Sequence, residues 1–332
     1  MSYSEGVMVM KKYNWGIIGT GWIATEMGDA LNRVNGEIYA VCSGRKESAL
    51  RYADRYGVKK VYENADEMIN DENIDIVYIA TPHNLHYRFL IQALKAGKHV
   101  FCEKAITIND AQLQEAWMIA KEKGLVICDG VTLFHMPLFK KLKEIVDSGV
   151  IGQIKMIQVN FGSCKEYDVT NRFFSKELAG GALLDIGVYA ISFARYFMSS
   201  KPDTVLTTAN FFETGVDETS GIILRNPEGQ MAVIALTMRA KQPKRGVIAG
   251  ELGYIEVNNY PRGDVATITY TSDGHVETLE LGDTTKALDY EVEDMQNYIL
   301  KDGGKENLQY IRDVMSILTE IRRQWGMIYP FE

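Results

Sequence analysis

The chain has 332 residues, 46% apolar and 24% charged, a balance that excludes disorder or a low-complexity scaffold and a length that suits about two domains. With 36 Lys and Arg against 44 Asp and Glu the net charge is -8, which argues against nucleic acid as a partner. No apolar run approaches the roughly 18 residues of a membrane span, and the four cysteines (Cys42, Cys102, Cys128, Cys164) form no C-x-x-C pair, so they read as reduced, buried thiols.

Residues 1–12 lack a signal-peptide pattern and read as a short disordered leader on a cytoplasmic protein. From residue 13 onward, short apolar runs at 15–18, 38–42, 74–81, 99–102 and 125–128 predict strands. Amphipathic stretches at 23–34, 46–56, 65–70, 84–96 and 108–123 predict the helices between them. This alternation implies a doubly wound parallel sheet covered on both faces, a Rossmann domain spanning 13–130. After Pro137 the pattern changes to a helix at 137–148, a strand at 155–163 and a long apolar helix at 180–198. Strand-like runs then follow one another at 204–213, 220–225, 231–238, 245–250, 254–257, 266–271 and 275–281, and helices at 289–300 and 306–324 close the chain. Consecutive strands joined by turns such as Ser272-Asp273-Gly274 mean hairpins, so residues 131–332 are expected to form an α+β domain around a large, mainly antiparallel open sheet. The run from Met231 to Leu236 is apolar on both of its alternating faces. One sheet face should therefore pack on the long helix and the other on a second subunit, as a homodimer or homotetramer.

Gly19-Thr20-Gly21-Trp22-Ile23-Ala24 directly follows the first strand and opens a helix, the context in which G-x-G-x-x-A marks a dinucleotide site. Gly19 permits the tight turn, Gly21 lets a pyrophosphate approach the backbone, and the helix N-terminus offers free N–H groups to the anion. After the second strand the chain reads Ser43-Gly44-Arg45-Lys46, with no carboxylate for the ribose of NAD. A hydroxyl and two cations stand where a 2'-phosphate would lie, which favours NADP, with NAD as the alternative. Chemistry should gather at the carboxyl ends of the strands, at Thr81-Pro82-His83-Asn84 and Cys102-Glu103-Lys104. Asp185 and Tyr189 are spaced i, i+4 and share one face of an otherwise apolar helix, where a carboxylate needs a partner. His83 and His86 are three apart, but two ligands are too few for zinc, and no metal is assigned.

Gly19-x-Gly-x-x-Ala, Ala80-Thr-Pro-x-x-x-His86, Ala96-Gly-Lys-His-Val-x-x-Glu103-Lys104 and Gly180-Gly-Ala-Leu-Leu-Asp185-Ile-Gly-Val-Tyr189 together resemble the Gfo/Idh/MocA family of oxidoreductases. The stretch Glu213-Thr-Gly-Val-Asp217-Glu-Thr, and Tyr189 where many members carry His, resemble its dimeric dihydrodiol dehydrogenase branch. The resemblance implies hydride transfer between a nicotinamide and a hydroxyl-bearing carbon of a sugar, polyol or cyclic diol. It also implies that Thr81, Pro82, Asn84, His86 and Glu103 line the cofactor, that Lys104 lies beside nicotinamide and substrate, and that Asp185 and Tyr189 line the substrate pocket. Tyr189 is then the acid/base, with Lys104 lowering its pKa and Asp185 binding a substrate hydroxyl. His83 stands where the family often has Asn and could touch substrate; Arg172 could meet an anionic part of cofactor or substrate, or form a surface salt bridge. Two departures stand out. The family commonly has Glu-Lys-Pro where this chain has Glu103-Lys104-Ala105, and without proline a cis bond costs about 3 kcal/mol. The stretch from Asp129 to His135 also lacks that branch's pattern, so the substrate need not be a dihydrodiol. Two other readings keep the dinucleotide: a sensor without turnover, and a closed redox cycle with no net change in NADPH.

Overall fold

A computed structural model describes residues 12–34, 36–301 and 303–332. The leader expected over 1–12 thus lies outside the described residues except for Lys12. Six short strands, β1 (Asn14–Ile18), β2 (Glu37–Cys42), β3 (Lys60–Tyr62), β4 (Ile76–Ile79), β5 (His99–Cys102) and β6 (Ile127–Asp129), form a parallel sheet in the order β3-β2-β1-β4-β5-β6. β4 is buried along its whole length, as a central strand covered on both faces must be. The helices between the strands are α1 (Trp22–Arg33), α2 (Lys46–Tyr56), α3 (Ala65–Ile69), α4 (His83–Lys95) and α5 (Asp110–Lys123). α5 begins two residues later than its periodicity suggests because Asn109 caps it, the side-chain oxygen accepting from the N–H of Gln112 at 3.0 Å. β3 has only three residues at the sheet edge, too few to leave a periodic signal in the sequence.

The chain then runs through α6 (Pro137–Asp147), β7 (Ile154–Gly162) and the long apolar segment that ends in α7 (Val188–Phe197). It continues through β8 (Thr204–Phe211), β9 (Asp217–Arg225), β10 (Met231–Thr237), β11 (Gln242–Gly250), β12 (Gly253–Asn258), β13 (Val265–Tyr270) and β14 (Val276–Glu280), and closes with α8 (Ala287–Lys301) and α9 (Lys305–Trp325). These strands make one eight-stranded sheet, β14-β13-β12-β11-β7-β10-β9-β8, antiparallel except where β10 lies parallel to β7. Ile157, Val159, Phe161, Ile234, Leu236 and Ile248 are buried on the inner side, and α7 packs against β7 and β10. The opposite face leaves Leu206, Ile223, Val233 and Tyr254 exposed.

The long apolar segment is not one regular helix. Leu183–Gly187 winds as a π-turn before α7 begins, and the Leu183 N–H donates to the Asp217 carboxylate at 2.7 Å. Gly181 packs against the same carboxylate at φ +110°, and a Cβ there would stand 2.2 Å from Asp217 Oδ1, so the turn requires glycine. By length and composition the stretch Lys176–Phe197 could cross a membrane, with mean hydropathy 1.4, although no such run was expected from the sequence. Within the fold 83% of that window is buried, and it forms the core beneath the large sheet. Of the cysteines, Cys42, Cys102 and Cys128 are buried as expected; Cys164 is exposed, because it lies just beyond the end of β7.

Candidate active site

The loops after β1, β2, β4 and β5 lie side by side because the strand ladder continues past the strand ends. Gly19 N–H donates to Cys42 O (2.8 Å), Ala80 N–H to Ile18 O (2.8 Å) and Glu103 N–H to Ile79 O (2.9 Å). Gly19 takes φ +102°, and a Cβ there would lie 2.3 Å from Ala80 O, so only glycine lets the turn press on its neighbour. α1 opens at Gly21 without a side-chain cap, and nothing lies within 4 Å of the position of a Gly21 Cβ. Its first N–H groups therefore face an open shelf, the arrangement that holds a pyrophosphate. Trp22, 66% exposed, and the half-buried Ile23 border that shelf. Thr20 and Ser43 meet through their hydroxyls at 3.1 Å. Arg45 beside them is exposed and has no ion-pair partner among the described residues. The second expected cation is not available, because Lys46 is paired with Glu63. Thr81 Oγ1 and Asn84 Oδ1 are buried without a hydrogen-bond partner among the described residues. Orphaned polar atoms next to an open, N–H-lined shelf fit a nicotinamide dinucleotide.

Lys104 follows β5, and its Nζ donates to the main-chain oxygen of Asp185 (2.5 Å) and to Asp185 Oδ1 (3.2 Å). Arg172 approaches the same carboxylate at 3.6 Å, an ion pair with the site's own acid. Burial opposes ionisation of Asp185, but the charges of Lys104 and Arg172 outweigh it and hold the carboxyl below its ordinary range. Tyr189, one turn further on, presents its ring to the same ammonium, with Lys104 Nζ 4.7 Å from the ring centroid. The lowered Tyr189 pKa expected from the sequence is not found. Burial, with the nearby carboxylates of Glu103 and Glu291, pushes it well above its usual value, and Lys104 meets the ring face and spends its donors on Asp185. The Lys104–Ala105 peptide bond is cis although no proline follows Lys104.

Two expected ligand residues, His83 and His86, also hold main-chain carbonyls. His83, expected at the substrate, is 5% exposed, and its ring nitrogens lie 3.0 Å from Ala179 O and 3.1 Å from Lys104 O. His86, expected at the cofactor, is fully buried, with its nitrogens 2.9 Å from Ala105 O and 2.8 Å from Thr81 O. Burial holds both rings neutral, His83 down at about 3 and His86 at about 4, so between them they donate to two of these four carbonyls. Both brace the main chain at the Lys104–Ala105 step. Pro82 caps α4 just before them.

Several groups that bear on the site left no motif in the sequence. Glu103 is buried and accepts from Tyr78 OH at 2.6 Å. Glu291 of α8 and Asp129 at the end of β6 lie behind it, and Arg262, paired with Glu26 at 2.8 Å, acts on Glu103, Glu291 and Tyr189. Lys165 and Lys244 enter from the second domain. Strand-end position marked Glu103 in the sequence; the others lie on elements whose approach depends on domain packing.

Residues 13–131 match the model described as the oxidoreductase family with an NAD-binding Rossmann fold, and residues 139–256 match that of the GFO/IDH/MocA C-terminal domain. The trans-1,2-dihydrobenzene-1,2-diol dehydrogenase of Xenopus laevis is 29% identical over 331 residues, covering 95% of this chain and 99% of that protein. The D-xylose 1-dehydrogenase (NADP(+)) of Hypocrea jecorina is 31% identical over 363 residues, covering 95% and 93%. Among solved structures, a levoglucosan dehydrogenase in complex with NADH and levoglucosan superposes with a TM-score of 0.87 at 22% identity, covering 95% and 98%. A 3-ketoreductase from Actinomadura kijaniata superposes with a TM-score of 0.83 at 24% identity, covering 94% and 98%. These two show the shared fold.

Burial raises the Asp129 carboxyl to about 7, aided by Glu103. The folded chain therefore keeps a proton that the unfolded chain has shed above its ordinary carboxyl value, and stability from this group falls as pH rises from about 4 to about 7. Asp129→Asn should flatten part of the decline in thermal midpoint between about pH 4 and pH 7. Parallel melting curves with the wild-type slope would assign that titration elsewhere.

Proposed function

The chain belongs to the Gfo/Idh/MocA family of oxidoreductases, and from that premise we propose that it is an NADP-dependent dehydrogenase moving a hydride between nicotinamide and a hydroxyl-bearing carbon of a sugar, polyol or cyclic diol. The observation that carries this reading is the convergence of Lys104, Asp185 and Tyr189 beside the glycine shelf, within 2.5 to 4.7 Å of one ammonium. The dihydrodiol and xylose dehydrogenases among its relatives support the substrate class, and the second of them supports NADP. Residues 13–130 form the cofactor domain in this reading, and 131–332 supply substrate and subunit contacts.

The bound nicotinamide supplies the hydride acceptor or donor. What remains for the chain is the proton on the substrate oxygen. Tyr189, protonated at rest, donates to a carbonyl oxygen in the reductive direction and is reprotonated from solvent; in the oxidative direction it first loses that proton to solvent, and its phenolate takes the proton of the substrate hydroxyl. Lys104, fixed by Asp185, aligns that oxygen, and Asp185 orients a neighbouring substrate hydroxyl through its remaining lone pairs. Gly19, Thr20, Gly21, Trp22 and Ile23 hold the pyrophosphate side of the cofactor, Ser43 and Arg45 take a 2'-phosphate, and Thr81, Asn84 and Glu103 lie along the ribose and nicotinamide. On the outer face of the large sheet, Leu206, Ile223 and Val233 lie in one cross-strand row, and all three are exposed. That row supports subunit pairing through the sheet, as a homodimer or homotetramer.

Three measurements test these assignments. Tyr189→Phe should lower kcat for alcohol oxidation about 10²- to 10⁴-fold while NADPH binding, followed by fluorescence, is retained; an unchanged kcat would remove Tyr189 from the reaction. Arg45→Ala should weaken NADP binding and leave NAD binding where it was, erasing the preference; equal losses for both would deny the phosphate contact. Ile223→Glu should convert the assembly to monomers in sedimentation velocity, whereas an undisturbed wild-type oligomer would place its interface elsewhere.

A further inference from the structure

The cleft of this acidic chain is cationic. Lys244 lies on the same face of β11 as the buried Gly246 and Ile248, the face turned toward α7. Its side chain is half-buried, and its ammonium lies 4.8 Å from the centroid of the Phe161 ring, with no carboxylate partner among the described residues. The Phe161 ring neighbours that of Tyr189 at 6.3 Å, and Lys104 covers Tyr189, so a row of contacts leads from Lys244 to the reacting groups. Lys165, also half-buried, lies 4.2 Å from the Phe173 ring, on which Arg172 packs at 4.2 Å as well. Four cations thus share this region with Asp185, which is already engaged by Lys104 and Arg172. Glu213 is turned to the hydroxyl of Tyr167, Glu26 is held by Arg262, and Asp217 caps the π-turn.

An ammonium taken partly out of water, faced by rings and by other cations, is held at a cost that an incoming anion removes. The depressed proton affinity of Lys244, caused by burial and then by Lys241, Arg262, Lys165 and Lys104, reports the same imbalance. A neutral sugar or diol would leave it uncorrected. The pyrophosphate shelf lies at the N-terminus of α1 and the 2'-phosphate position at Arg45, both on the first domain, so the dinucleotide's own phosphates are already accounted for.

We infer that the substrate carries an oxyanion, a phosphate or a carboxylate, besides its reacting hydroxyl, and that Lys244, with Lys165 and Arg172, forms the subsite that binds it. The inference rests on the dehydrogenase reading of the same cleft and narrows its substrates to acidic or phosphorylated sugars and polyols. Lys244 is a specificity residue here: it holds the remote end of the substrate and takes no part in proton or hydride transfer.

The test begins with protein saturated with NADPH, so that the cofactor's phosphate contacts are filled, titrated calorimetrically with inorganic phosphate and, separately, with malonate. Saturable binding of either probe, weakened about tenfold or more in Lys244→Gln with NADPH affinity unchanged, is the expected result, and the stronger probe identifies the group. Absence of saturable binding by both, or equal binding by wild type and Lys244→Gln, overturns the inference. In a turnover panel pairing neutral aldoses and polyols with their phosphates and acids, the charged partner should have the higher kcat/KM. Lys244→Gln should then raise KM about tenfold with kcat little changed. A neutral substrate used in preference to its charged partners overturns the inference and leaves the dehydrogenase reading standing. Anion binding through Lys244 without turnover across the panel supports the subsite and counts against the dehydrogenase reading.

Discussion

A mostly buried ion pair between the two halves of the chain sets the geometry of the cleft. Lys104 stands at the end of a parallel strand of the first sheet, and Asp185 lies in the π-turn that leads into the core helix beneath the second. Ions taken out of water must compensate one another, and removing one partner of such a pair typically strands the other at a loss of about 3–5 kcal/mol. The lysine also takes the main-chain oxygen of Asp185, so the contact fixes the backbone as well as the side chain. Tyr189 lies four residues further along and is thereby placed with its ring against the same ammonium. Lengthening this one contact would separate Lys104, Asp185 and Tyr189 together.

Around the pair, charge is sorted by depth. Glu103, Glu291 and Asp129 lie behind it in the interior, and burial pushes all three above their ordinary values. Lys165, Arg172 and Lys244 stand on the cleft side, half-buried against aromatic rings. Burial, with the interior carboxyls, keeps Tyr189 protonated, and the outer cations contrast with the negative charge of the whole chain. His83 and His86 serve this arrangement indirectly, by holding the main-chain carbonyls of Thr81, Lys104, Ala105 and Ala179 from which the site is built.

Much of this was legible in the residues. The glycine turn after β1 could be read because its requirement is local: a positive φ, a close approach to the next strand and an uncapped helix start all lie within six residues. The alternation of strand and helix gave the parallel sheet, and the run of hairpins gave the antiparallel one, since each rests on a short-range period. What could not be read shares one cause. The partners of His83 and His86 cannot be seen in sequence, because they include carbonyls that the fold brings from as far as Ala179. Lys46 looked free until α2 placed it beside Glu63. The tyrosine pKa was read from one lysine, whereas burial, with the carboxylates of Glu103 and Glu291, decides its direction.

The sequence by itself determined the two sheets, the order of their elements, the dinucleotide turn and the identity of three groups that meet at the candidate site. Tertiary structure alone decided how those groups face one another: which donors of Lys104 are spent on Asp185, which side of Tyr189 the ammonium meets, and that Lys165, beyond the end of β7, and Lys244, on β11, approach the site. The reason is physical. Backbone geometry and hydrophobic periodicity act over a few residues and are written in consecutive letters, whereas desolvation and charge act through space and are set by elements about eighty residues or more apart.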